Sequence, residues 1–403
     1  MADRPEPGPG TGDRAAGAHD TPDSGARPRD RFVDFLRAGS MAVVVLGHWL
    51  ILVTVWRRGV ITDQNVIGRD PGLWLGTWIG QVVPVFFFVG GFANFASYRS
   101  SQERGEPLVA FLRRRGERLL RPTAIFLAVW IAIEVGLHLL DIGGGGLLRG
   151  VAIGNTVPFG PMWFLGVYLV VVLFSPVTIR LHGRFGLAVP VALVLGTAVV
   201  DGLAFGLGRP GLFAFNLLLV WLLPHQLGYF YADGSLRRLP TLAYLAMAAG
   251  GLAALAGLTS IGVYGRSLLG NGVRVWTMDA PTLAIDAVTI WLIGLVMLGR
   301  ERLERWLLRR RPWRAVVAVN AIVMTLFLWH MTAYLLALLA LQRVGFAEAV
   351  PGTATWWLQR PALEVTAAAV LFVIVKVVGR YEYPAEARER LAMQPRPQPG
   401  AAA

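Results

Sequence analysis

The chain contains no cysteine, which excludes disulfides, thiolate nucleophiles and Cys-ligated zinc or iron–sulfur centres. Charge is scarce as well. Only 16% of the 403 residues are charged while 55% are hydrophobic, far more apolar surface than one soluble core can bury. No GxSxG sequence occurs, which argues against an acyl-enzyme of the α/β-hydrolase kind. No HExxH or His/Asp cluster supports a bound metal either.

What the chain does have is a succession of apolar runs, each long enough to cross ~30 Å of hydrocarbon. Ten spans are expected, at about 32–56, 73–97, 120–140, 162–179, 186–206, 211–231, 240–260, 281–299, 315–342 and 361–379. The predicted fold is therefore all-α, a polytopic membrane helix bundle over residues 31–380. Residues 1–30 and 381–403 are polar and rich in Pro, Gly, Ala and Arg, and such segments cannot bury enough surface to fold alone, so both read as disordered tails. The amino tail lacks the hydrophobic region of a signal peptide, and the first span is expected to persist in the mature protein.

An even number of spans puts both termini on one side. The formal charge of +13 comes almost wholly from arginines, and they lie in the loops between apolar runs. Loops and tails on the side of the termini carry 27 of them, the opposite loops nine. Under the positive-inside rule both termini are cytoplasmic, and the cell membrane is the expected location. Basic residues dispersed in this way set topology and do not form a nucleic-acid surface. The glycine run Gly143–Gly146 and the loop carrying Asn271, Gly272, Trp276 and Asp279 read as outer loops, as does the segment with Pro158 and Pro161.

The sharpest chemical feature lies in the first span, where Arg37 and His48 bracket ten mostly apolar residues. Eleven steps of ~100° fall within about 20° of three full turns, so both side chains share one helix face, ~16 Å apart along the axis. His48 is then expected near the bilayer midplane. An ionisable group at that depth costs at least a few kcal/mol unless it faces protein or water, and a functional role is the default. Two plainer readings stand beside it. Arg37 could snorkel to the headgroups, and His48 could make an interhelical hydrogen bond. Histidine suits activation of a hydroxyl because its ordinary pKa of ~6.5 lies near neutrality. Arginine suits a phosphate, a carboxylate or a polarised thioester carbonyl.

With its Asp34, Arg37 and His48, the first span resembles that of the acyltransferase-3 family of integral membrane O-acyltransferases, in which an aspartate, an arginine, ten residues and a histidine recur. The second span, VPVFFFVGGFANFASY, is similar to the family's run of proline, paired phenylalanines, Ser-Gly and an aromatic, with Pro84, Phe86, Phe87, Phe88, Gly91 and Phe92 in place. Gly90 stands where the family usually has serine. RRRGERLLRP, with Arg115, Arg118 and Arg121, looks like the family's arginine motif. Weaker echoes are Trp163, Phe164 and Leu165, then LGYFY, then LWHMTAYLL. The resemblance runs from about Asp34 through the ninth span. It implies a bundle of about ten helices and acyl-CoA as donor, with no tightly bound cofactor. The acceptor would be a hydroxyl-bearing sugar, lipid or small natural product, with His48 and Arg37 essential.

Other polar residues add to this without the family. His330 lies as far into its span as His48 does, so the two are expected at one depth, and Glu134 is a candidate partner in the third span. His330 and Glu134 are therefore expected to support the site, as the resemblance implies for Asp34, and packing hydrogen bonds are the alternative. Arg113, Arg114, Arg115, Arg118 and Arg121 could clamp the phosphates of CoA, or attract anionic lipid and set topology. His225, Asn94, Asn216 and Asn320 read as packing residues, and His19, His138 and His182 as tail or loop residues. The rival function is a transporter or flippase using buried Arg, His and Glu as a substrate path, but no pair of Gly- or Pro-broken helices recurs in matching halves.

Overall fold

The structure, a computed structural model, describes residues 30–57, 60–69, 72–140, 157–269 and 281–379. The expected tails, the glycine run and Asn271, Gly272, Trp276 and Asp279 lie outside these residues, as does the side chain of His138.

Helix α1 spans Arg31–Ile51, with Asp34 in its first turn, where a carboxylate complements the helix dipole. It stops short of the expected residue 56. The β-branched LVTVW sequence that follows favours an extended backbone, and strand β1 (Leu52–Arg57) pairs antiparallel with β2 (Val60–Asn65). A 3₁₀ turn at Val66–Arg69 and the short α2 (Trp74–Ile79) lead into α3 (Val83–Glu103), which carries Pro84 in its first turn. Apart from this hairpin the described fold is helical, as expected.

Helix α4 (Leu108–Leu139) begins well before residue 120, so the arginine-rich stretch is helical and not a loop. Arginine propagates a helix well, and Gly105 at φ 66° makes the turn before it. Glu106 clips that turn, accepting from Arg114 (2.9 Å), Arg104 (2.7 Å) and Ser101 (2.8 Å). The Arg114 guanidinium above all, then Arg104 and Ser101, hold its carboxyl well below the usual carboxylate range. The remaining helices are α5 (Met162–Phe185), α6 (Ala188–Gly206), α7 (Phe213–Ala232), α8 (Thr241–Ser260) and α9 (Leu283–Trp306). Then come α10 (Arg310–Ala321), α11 (Val323–Arg343) and α12 (Ala354–Val378). The expected ninth span is thus two helices, broken at Ile322. Asn320 holds the end of α10 by donating to the Asp34 carbonyl of α1 at 2.8 Å.

Ten segments of the described chain are long and apolar enough to cross a membrane, as the apolar runs indicated. Their outward faces are apolar. On α6, Val191, Leu195, Val199 and Leu203 recur every fourth residue and are all exposed, which is one helix face presented to lipid. Inside, α1 packs against α3, α9, α10, α11 and α12. Helices α3 and α7 meet where a Cβ on Gly91 would collide with the backbone of His225, and one on Gly228 with that of Phe88. The two glycines let the backbones touch.

The apolar interior has two parts. One gathers the start of α1, α3, α5, α7, α8 and α9, and the other gathers the middle of α1 with α4, α11 and α12. Buried polar groups tie the frame. Asp201 on α6 accepts from Asn216 (2.7 Å), Tyr264 (2.9 Å) and the Leu283 amide (2.9 Å), joining α7 and α9. Arg360, 1% exposed in α12, donates to Glu348 (2.6 Å), Tyr334 (3.2 Å) and the Leu52 carbonyl (3.3 Å), and its guanidinium lies 3.9 Å from the Trp356 ring. His182 is corrected from a loop residue to a buried one in the last turn of α5. Gln226 donates to its Nδ1 at 2.8 Å, and its Nε2 lies 2.9 Å from Asp233.

Candidate functional site

Two cavities open between the helices that join the two apolar cores. The first, about 130 Å³, lies where α1 and α4 begin, and Arg37, Asn94, Arg115, Arg118 and Tyr168 supply its polar lining. Arg115 and Arg118, three residues apart, face one side of α4. Arg121, six residues from Arg115, is rotated away and exposed, so the expected trio divides. Arg37 lies 3.3 Å from Asp34, one turn back on α1. Arg115 buries Nε and Nη2 without a hydrogen-bond partner among the described residues. A guanidinium left unpaired beside a cavity is suited to an anion or a carbonyl oxygen.

The second cavity, about 330 Å³, is lined by His48, Gln81, Thr77, Trp163 and Trp357 among mostly aliphatic side chains. His48, in the last turn of α1, is half-buried, and its Nδ1 lies 2.9 Å from Nε2 of His330 on α11. The two rings are stacked, centroids 5.1 Å apart. His330 is fully buried. Its Nδ1 lies 2.7 Å from the Phe327 carbonyl and 3.2 Å from that of Leu326, and Trp49 donates to its own carbonyl at 2.9 Å.

These contacts fix the tautomers of the neutral pair. A carbonyl oxygen only accepts, so Nδ1 of His330 carries its proton and Nε2 its lone pair. His48 must then donate from Nδ1, and its unprotonated nitrogen is Nε2. No described residue bonds that nitrogen. The arrangement presents a base to the cavity, oriented from behind by a second histidine.

Phe86, Phe164 and Phe327 line both cavities. Phe164 is the central ring, its centroid 5.7 Å from that of Phe86 and 5.5 Å from that of Phe327. This aromatic septum is all that the two linings share. Phe327 serves twice, its ring in the septum and its carbonyl on His330.

Of the residues singled out in the sequence, Arg37, Arg115 and Arg118 border the first cavity, His48 the second, and His330 stands directly behind His48. Asp34 borders neither cavity and lies beside Arg37. Glu134, buried on α4, borders neither cavity. Phe327 and Arg360 carried no signal in the sequence, and Tyr168 lay in the echo around Trp163 without being singled out. Asn94 was visible as a buried polar residue but not as part of a cavity wall. Among the described residues no group of three or more His, Asp or Glu side chains could hold a metal ion.

A bundle with ten potential membrane spans, lipid-facing apolar surfaces and a polar site enclosed between its helices is a multi-pass membrane protein. The family described as an acyltransferase domain, acyltransferase-3, matches residues 30–380, and the chain belongs to it. It is an acyltransferase for groups other than aminoacyl groups. No curated protein and no solved structure matches the chain.

Proposed function

We propose that the protein is a cell-membrane O-acyltransferase that takes an acyl group from acyl-CoA at the arginine-lined end and delivers it to an acceptor hydroxyl in the histidine-lined cavity. The observation that carries this reading is the shared septum: one cavity offers unpaired guanidinium, the other an oriented imidazole, and three phenylalanine rings are the common wall. Arg37, Arg115 and Arg118 hold the phosphates of CoA, for which bidentate guanidinium is suited. The acyl-pantetheine arm passes between the rings. Nε2 of His48 takes the proton as the acceptor oxygen attacks the thioester carbonyl. The C–O bond forms, the C–S bond breaks, and the proton passes from His48 to the departing thiolate.

His330 holds His48 in the required tautomer, and the septum keeps bulk water from the thioester. The acceptor is a sugar, a lipid or a small natural product, and the aliphatic wall of the larger cavity suits one with an apolar part. Both termini are cytoplasmic, so the donor comes from the cytosol and no tightly bound cofactor is required.

The test combines binding and turnover. Purified protein in lipid nanodiscs should bind acyl-CoA, and replacing Arg115 and Arg118 by Gln should weaken that binding. Cells carrying the protein should contain a lipid, glycan or secreted metabolite heavier by one acyl group. His48→Ala should abolish this product while donor binding persists, since general-base assistance is worth ~10²–10⁴-fold. A well-inserted His48→Ala protein with full activity would eliminate the mechanism.

A further inference from the structure

Phosphate binding and proton transfer leave part of the smaller cavity's wall unused. On α3, Gly90 and Asn94 are four residues apart and share a face. A Cβ built on Gly90 would lie 2.6 Å from Cε2 and 2.9 Å from the hydroxyl of Tyr168 on α5. Glycine inside a helix costs about 1 kcal/mol relative to alanine, and here the space released is filled by a phenol from the neighbouring helix. Its ring is held by Phe164, stacked at 5.9 Å, and by Phe87 at 5.8 Å.

The hydroxyl so placed borders the cavity and bonds no described residue. Asn94, fully buried, donates from Nδ2 to Nε2 of His225 at 2.9 Å, which leaves its Oδ1 without a partner. The wall thus pairs a phenol donor with an amide acceptor along one small cavity. A phosphate does not fit that combination, because its oxygens would be set against the Asn94 carbonyl. A secondary amide does, since its N–H can meet an acceptor while its C=O meets a donor.

We propose that Tyr168 and Asn94 form a recognition site for the amide groups of the donor's pantetheine arm, with the Tyr168 hydroxyl occupying the place that a side chain at position 90 would otherwise take. The assignment rests on acyl-CoA being the donor. It separates two functions within one cavity, arginines at the mouth for phosphate and this wall, beside the septum, for the arm. The arm is thereby aligned before it enters the septum.

Two ligands separate the arm from the phosphates. CoA carries both, and 3′,5′-ADP carries nucleotide and phosphate without the arm. Isothermal titration of nanodisc protein should show Tyr168→Phe binding CoA about 3- to 10-fold more weakly, the range expected for one hydrogen bond, with 3′,5′-ADP unchanged. Gly90→Ala, which pushes the ring aside, should reproduce that selective loss. Thermal unfolding of both variants confirms that they are folded. Unchanged CoA affinity in Tyr168→Phe or in Gly90→Ala would overturn the assignment, and so would an equal loss for both ligands. If the unsubstituted protein binds neither ligand, the donor reading itself fails, and this site with it.

Discussion

At the scale of single residues, the chemistry proposed for His48 depends on an atom it does not own. The Phe327 carbonyl fixes the proton of His330, and His330 fixes that of His48. On the proposed mechanism His330 is a positioning residue. His330→Ala should lower kcat by about 10- to 100-fold, because His48 would be free to rotate and to change tautomer and only a small fraction would present its unprotonated nitrogen. CoA affinity should not change. His330→Gln should recover part of the loss, since a side-chain amide oxygen can accept from Nδ1 of His48, and recovery measured as kcat separates orientation from mere packing. An inactive Gln variant with an intact fold would refute the relay. Arg37 and His48 were legible in the sequence because their spacing is local, a matter of one helix face. The link of His48 to His330 was not, because the bond joins side chains 282 residues apart. Nothing in either segment states which helix face meets which. Similar depth was foreseeable, but direct contact was not.

Among the elements, the ten apolar runs were legible because the span length is set by the bilayer and not by the fold. What escaped the sequence was where regular structure stops or starts against that rule. The first apolar run continues past Ile51, yet β-branched residues turn it into a strand, and the ninth run contains the break at Ile322. The arginine stretch reads as a loop by polarity and is a helix by propensity. Packing distance between elements was equally hidden. Gly91 lies inside α3 where the backbone of His225 leaves no room for a Cβ, whereas Gly136 on α4 has open space. Gly91→Ala should therefore lower stability by about 1–3 kcal/mol through overpacking of α3 against α7. Gly136→Ala should leave stability unchanged or raise it slightly, as helix propensity dictates. Midpoints of thermal unfolding in one detergent would compare them. Equal midpoints for the two variants would mean that α3 and α7 do not depend on that close approach.

For the whole molecule, the decisive asymmetry is electrostatic. Arginines gather where α1, α4 and α10 begin and where α3 and α9 end, and the far ends of the same helices carry few. Because α1 begins at the basic end and is the first of ten spans, the chain must leave the bundle on the side where it entered. The positive-inside rule then orients everything at once: the basic end, with Arg37, Arg115 and Arg118, faces the cytosol, and the hairpin and the turn after α11 face outward. The proposed reaction would inherit this polarity, since a charged nucleotide could reach the arginines without crossing lipid. Single cysteines test it without ambiguity, as the natural chain has none. Glu103 and Leu308 are exposed at the basic end, and Val344 and Val350 at the other. A membrane-impermeant maleimide added to intact cells should modify Val344→Cys and Val350→Cys at once. Glu103→Cys and Leu308→Cys should react only after the membrane is opened. The reverse pattern would place the arginines outside and deny them a cytosolic donor. Labelling of all four in intact cells would mean that the polypeptide does not divide the two sides as its helices require.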